Sequence, residues 1–214
     1  MSNSSDIEQI LQTNLFGVIN GLNAYVPSFQ ARPSSHPAAI VVTGSKQGIT
    51  NPPGNAAYNA SKAAVKALTE HLSYDLRDTN VGVHLLVPGW TFTGLVRLLG
   101  FSSRECLLII FEIPYLPSSS WTQLMYNQSG NVPGTDKQKP DGAWSPDQVA
   151  EYMYKKMKNN NFYIICPDND VSEETDKKRM LWGVGDIINE RPPLTRWRPE
   201  FKAEAEEWMG KCKV

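Results

Sequence analysis

The sequence predicts an α/β protein built on a parallel sheet. Three short apolar runs, 38–43 (AAIVVT), 81–87 (VGVHLLV) and 161–167 (NFYIICP), have strand length and no polar alternation. Strands covered on both faces read this way. Between and around them lie segments of helical period, and at 214 residues the chain suits one domain with a real core.

The first helix is expected over 5–26. Ser5-x-x-Glu8 forms a capping box, Ile7, Ile10, Leu11, Leu15, Val18, Ile19 and Leu22 keep the period, and Pro27 reads as the stop. A polar Pro/Ser loop leads to the 38–43 strand. The second helix is expected over 56–77, with Ala60, Ala64, Leu68, Leu72 and Leu76 near one stripe. The 81–87 strand closes on Pro88-Gly89, and His84 within it reads as a satisfied core histidine. Ser145-Pro146-Asp147 opens a helix running to about Asn159, with an N-cap, a proline at the first position and an acid in the first turn. Helices follow over 172–189 and 199–210, where Trp182, Trp197 and Trp208 read as packing anchors.

The chemistry concentrates in 45–62, SKQGITNPPGNAAYNASK. On a helix Tyr58 and Lys62 stand at i and i+4, which sets an ammonium beside a phenol. A nearby positive charge favours the phenolate, so the pair suits proton transfer closer to neutral pH. Ser45, thirteen residues earlier, offers a hydroxyl from the preceding loop to orient a carbonyl. By itself Y-x-x-x-K also describes an ordinary surface pair. Its company decides the reading: an apolar strand before Ser45, a Pro/Gly turn, and small residues around the tyrosine.

Thr43-Gly44-Ser45-Lys46-Gln47-Gly48-Ile49 invites a rival reading as a phosphate-binding glycine loop. Such a loop runs straight into a long helix. Here Thr50-Asn51-Pro52-Pro53-Gly54 would break one, so that reading is rejected.

These segments together resemble the active-site region of the short-chain dehydrogenase/reductase family, whose signature is a serine, a Y-x-x-x-K helix and a strand ending in Pro-Gly. Thr13-Asn14-Leu15-Phe16-Gly17-Val18 resembles that family's N-L-x-G-V helix, and Pro88-Gly89-Trp90-Thr91-Phe92-Thr93 its P-G-x-x-x-T turn. The resemblance covers roughly 6–95 and 144–167. It implies Asn14, Ser45, Tyr58 and Lys62 as catalytic residues. It also implies Tyr58, Lys62, Pro88, Gly89, Thr91 and Thr93 as contacts for NAD or NADP, with the preference undetermined.

The family's T-G-x-x-x-G-x-G loop and N-N-A-G turn are not found in the 214 residues. The resemblance therefore implies a single truncated domain, an incomplete Rossmann-like doubly wound parallel sheet with about three strands left and an exposed edge. The expected function is alcohol/carbonyl interconversion by an NAD(P)-dependent oxidoreductase acting on a small molecule. The alternative is a catalytically silent fragment that at most dimerises with a full-length relative. A homo-oligomer through helices 6–26 and 56–77 is expected from the same resemblance. Residues 96–139 read as an irregular, poorly ordered insertion or lid, or as translated sequence never selected to fold.

Bulk properties exclude other classes. Lys+Arg 21 against Asp+Glu 22 leaves a net charge of −1, without the excess that nucleic acid or an anionic membrane requires. Three cysteines and three histidines show no metal-ligand spacing, and the odd cysteine count suits a reducing compartment. The polar start MSNSSDIEQ does not read as a secretory signal, and the apolar tract 106–111 is far too short to span a bilayer. A cytoplasmic setting is expected.

Overall fold

The computed structural model describes residues 4–33, 35–92, 108–112 and 139–214. The order is α1 (Ser4–Leu11), a π-helical turn (Gln12–Phe16), α2 (Gly17–Gln30), β1 (Ala38–Thr43), α3 (Lys46–Thr50), α4 (Ala56–Asp75), β2 (Val81–Val87), β3 (Leu108–Glu112), α5 (Pro146–Lys158), β4 (Tyr163–Ile165) and α6 (Glu173–Ile188). Two 3₁₀ turns (Thr195–Trp197 and Pro199–Phe201) precede α7 (Lys202–Lys211).

The sheet order is β3-β1-β2-β4. β1 pairs parallel with β2, from Ala38 opposite Val81 to Thr43 opposite Leu86, and β2 pairs parallel with β4. These are the three parallel strands the sequence predicts. β1 is buried at every position, as its unbroken apolar run requires. Ala38, Ile40 and Val42 pack with Val18, Phe29 and Val65 on one face of the sheet. On the opposite face Val41 and Leu86 meet Val149 and Met153 of α5. The sheet is thus covered on both sides.

Three expectations change. The edge of β1, expected to be open, pairs antiparallel with β3, with Val42 opposite Leu108 and Ala38 opposite Glu112. An unpaired strand edge presents a row of unsatisfied N–H and C=O groups. An apolar segment from within the expected irregular insertion satisfies them. The remainder of 96–139 lies outside the described residues, apart from Lys139.

The first helix is neither continuous nor stopped at Pro27. A π turn interrupts it at Gln12–Phe16, and α2 runs through Pro27 to Gln30. Proline near a helix end forfeits one hydrogen bond. Burying Phe29 in the core is worth about 1.5–3 kcal/mol and offsets that loss.

The core-facing side of α4 also differs from the expected stripe. Tyr58, Ser61, Lys62, Val65 and Thr69 face inward with Leu76 just beyond the helix, whereas Ala60 and Leu68 are exposed. α5 begins as expected, with a capping box between Ser145 and Gln148 and Pro146 in the first turn. Trp182 is buried, stacks edge-on with Trp208 and donates its indole N–H to Thr195 Oγ1 at 2.8 Å. That bears out its reading as an anchor. Among the described residues no helix is long and apolar enough to cross a membrane.

His84 is buried in β2, with Nδ1 2.8 Å from Asn161 O. A carbonyl only accepts, so Nδ1 carries the proton. Burial pulls the imidazole below its ordinary 6.5, and the Asn161 carbonyl offsets this only in part. The unfolded chain therefore binds this proton more readily than the fold does. The neutral ring contributes its stability above about pH 6.5, and that stability is lost as pH falls. Denaturant unfolding at about pH 7.5 and about pH 5.5 should show a smaller loss in His84→Gln than in the wild type. Equal losses would remove His84 from the acid sensitivity of the fold.

Candidate active site

Lys62 is the centre of the site. It projects from α4 to the carboxyl end of β1 and is only 1% exposed. Its Nζ donates to Thr43 O at 3.0 Å. The same ammonium lies 5.9 Å from the centre of the Tyr58 ring, one turn earlier on the helix. Tyr58 is itself buried, and its backbone N–H reaches Asn55 Oδ1, the N-cap of α4, at 3.4 Å. The sequence spacing and the fold agree here: phenol and ammonium share the inward face.

Asn14 arrives from the other side. It sits wholly buried in the π turn and donates from Nδ2 to Ser61 Oγ at 3.3 Å, while Ser61 Oγ donates to Tyr58 O at 2.7 Å. A π turn inserts an extra residue and re-aims the side chains around it, which is why such turns recur at functional sites. Asn14 Oδ1 and Thr43 Oγ1 are buried and have no hydrogen-bond partner among the described residues. One belongs to the asparagine that touches Ser61, the other to the threonine whose carbonyl holds Lys62. Buried polar atoms without a partner suit a hydroxyl-bearing group or a water.

Ser45 leaves β1 in extended conformation and caps α3, its Oγ accepting from Gln47 N–H at 3.2 Å. With an acceptor position used in this way, the hydroxyl proton stays available for donation. α3 is a five-residue helix that ends at left-handed Asn51, consistent with rejecting a phosphate loop there. Its glycine has another use. A Cβ on Gly48 would stand 2.7 Å from the carbonyl carbon of Lys62 and 2.9 Å from its oxygen, so α3 rests directly on the backbone of α4.

The Pro88-Gly89 turn also reaches this end of the sheet. Pro88 O accepts from Lys46 N–H at 3.1 Å, and Thr91 forms a bridge with Trp144. Thr93 lies outside the described residues. Cys166 is buried, and burial above all pushes its thiol up to about 12, in keeping with an inert core residue. Asn59 is buried and donates to Asn51 Oδ1 and Pro52 O, closing the turn before α4.

Residues 1–100 match the family model described as short chain dehydrogenase. Over that stretch, just under half of its 214 residues, the chain is similar to the short-chain dehydrogenase/reductase family. It is 27% identical over 186 residues to the CLA biosynthesis dehydrogenase/reductase of Lactiplantibacillus plantarum, a match covering 85% of this chain and 61% of that protein. Two solved structures share its fold. One is a short chain dehydrogenase/reductase from Burkholderia phymatum in complex with NAD, with TM-score 0.61, 24% identity, and 90% of this chain covering 62% of that one. The other is a short-chain dehydrogenase from Sphingobium yanoikuyae in complex with NADPH, with TM-score 0.55, 16% identity, and 93% of this chain covering 62% of that one. The chain thus spans about three-fifths of the length of these relatives.

Sequence reasoning missed four participants at this end of the sheet: Ser61, Lys46, Asp168 and Asp176. Ser61 lies inside the Y-x-x-x-K motif, where its small size drew attention and its hydroxyl did not. Lys46 sits beside Ser45 and is buried against Asp168 and Asp176. Those carboxylates lie more than a hundred residues away in sequence, and no local pattern points to them. A groove of about 500 Å³, lined by residues such as Ile49, Lys66, Phe162 and Met180, contains none of the site residues predicted from sequence.

The close contact at Gly48 gives a direct test. Gly48→Ala should cost about 1–3 kcal/mol, because backbone rather than a flexible side chain must give way. Urea unfolding measures this, and an unchanged midpoint would show that α3 can lift from α4 freely.

Proposed function

We propose that this chain carries the catalytic part of an NAD(P)-dependent oxidoreductase that interconverts a secondary alcohol and a carbonyl on a small molecule. The observation that carries the reading is the buried Lys62 ammonium, tied to Thr43 O at 3.0 Å and set 5.9 Å from the Tyr58 ring. An ammonium out of water, beside a phenol, stabilises the phenolate and equips Tyr58 for proton transfer.

The roles follow from the atoms. In the reductive direction Tyr58 Oη gives its proton to the carbonyl oxygen, and in the oxidative direction it takes the proton back. Ser45 donates its hydroxyl proton to the same oxygen and orients it, since its Oγ already accepts from Gln47 N–H. Lys62 steadies the phenolate and binds ribose hydroxyls. Asn14, anchored on Ser61, orders the relay that returns the proton. Pro88, Gly89 and Thr91, with Thr93 by the same resemblance, would contact the carboxamide of the nicotinamide. NAD or NADP, when bound, supplies or accepts the hydride, and the protein supplies position and proton transfer.

The partner surface belongs to the same proposal. Phe16 at 44% and Leu68 at 37% are exposed on the π turn and α4, and Ala60 of α4 is exposed too. Small and apolar residues on two adjacent helices fit a second copy of the chain. We place the protein in the cytoplasm on its cysteine usage, with Cys166 and Cys212 both free.

Tyr58→Phe should lower carbonyl reduction by roughly 10²–10⁴-fold, the usual worth of a positioned acid, with an unchanged circular dichroism spectrum. Lys62→Met should weaken NADH or NADPH binding as well as rate. Titration of the folded wild-type chain with both cofactors is the decisive measurement. No saturable binding to a folded chain would end the enzyme reading and leave the silent, dimerising one.

A further inference from the structure

Lys46 follows Ser45 and is only 9% exposed. Its ammonium donates to Asp168 Oδ2 at 2.9 Å and lies 2.6 Å from Asp176 Oδ2. Arg179 pairs with the other oxygen of Asp176 at 3.2 Å, so two cations balance two carboxylates. Buried charges persist only when balanced in this manner. Charge balance alone does not explain where Asp168 is placed. Its second oxygen, Oδ1, accepts the backbone N–H of Trp90 at 3.2 Å. The carboxylate lies so close over Gly89 that a Cβ there would stand 2.0 Å from Oδ1. A side chain at Gly89 would displace this carboxylate from its place over the turn.

Two independent ties join the Ser45 segment to the Pro88–Trp90 turn. One is the Lys46 N–H on Pro88 O at 3.1 Å. The other runs from Lys46 Nζ through Asp168 to Trp90 N–H. Asp176 already touches the ammonium, so Asp168 is not needed merely to give Lys46 a counter-ion. Its distinct contribution is the bridge between two segments at one end of the sheet.

We propose that Asp168 is a positioning residue, which through Lys46 and Trp90 N–H holds the Pro88–Trp90 turn in register with Ser45 and so sets affinity for the nicotinamide cofactor. This rests on the function proposed above for that turn. A charge-assisted hydrogen bond to a backbone amide is among the stronger ties available to a loop. Losing it frees the turn without removing any group that reacts.

The test compares Asp168→Ala and Asp168→Asn with the wild-type chain. It uses amide hydrogen exchange at Trp90, titration with NADH and NADPH, and steady-state kinetics on a carbonyl substrate. Asp168→Ala should keep the wild-type circular dichroism spectrum, because Asp176 still pairs with Lys46. Its Trp90 amide should exchange about ten-fold faster or more, and its cofactor Kd and KM should rise by a similar factor. Substrate KM should change by less than about two-fold. Asp168→Asn keeps an acceptor oxygen and should recover much of both the protection and the affinity. Unchanged exchange at Trp90, or equal rises in cofactor and substrate KM, would overturn the assignment. If Asp168→Ala does not fold, Asp168→Leu, larger and also without an acceptor, takes its place: faster exchange at Trp90 with weaker cofactor binding upholds the tie, and wild-type values of both overturn it. A wild-type chain that binds neither cofactor would instead sink the functional reading and the cofactor part of this inference with it. Exchange at Trp90 would still judge the clamp.

Discussion

An ammonium group almost wholly out of water is the constraint on which this site depends. Removing a charge from solvent is costly unless it finds polar partners, and Lys62 finds the Thr43 carbonyl at the carboxyl end of β1. That requirement fixes how α4 lies on the sheet. Helix and strand must approach closely enough for a lysine to reach a main-chain oxygen at the strand end. Gly48 permits the same closeness on the other side, where α3 meets the backbone of Lys62 itself. Tyr58 is carried along, one turn before Lys62, and its place beside the charge follows from helix geometry.

A second buried cation organises the outer rim. Lys46 draws Asp168 and Asp176 inward from the segment after β4 and the start of α6. Two lysines, sixteen positions apart, thus hold different layers: Lys62 locks α4 to β1, and Lys46 locks the serine loop to the Pro-Gly turn and to the C-terminal part of the chain. Both are buried and both neighbour groups that sequence alone assigns to chemistry. Neither contact resembles the exposed, screened lysine pairs on the helix surfaces, such as Lys202 with Glu206.

The sheet edge shows how backbone satisfaction shapes the rest. Parallel pairing leaves the outer side of β1 with free amide and carbonyl groups, and β3 pairs with them in the antiparallel sense. The chain's likeness in fold to longer short-chain dehydrogenases, about three-fifths of whose length it spans, is therefore accompanied by a local solution at this edge.

Elements whose signals are local were legible along the chain. β1 and β2 could be read because continuous apolar runs between turn residues leave few alternatives, and α5 because Ser145, Pro146 and Gln148 form its cap within four residues. Tyr58 and Lys62 were legible for the same reason: a four-residue spacing on a helix is a statement about one face. Features that depend on distant partners emerged with the packed fold. The π turn at Asn14 answers to Ser61 on another helix, α2 runs past Pro27 because Phe29 has a core to enter, and Ala60 and Leu68 turn outward because Val65 and Thr69 turn in. β3 required a neighbouring strand edge, and Asp168 required a lysine 122 positions away. Spacing along a chain encodes periodicity and capping. It carries no record of which buried charge will need which counter-charge until the fold brings them together.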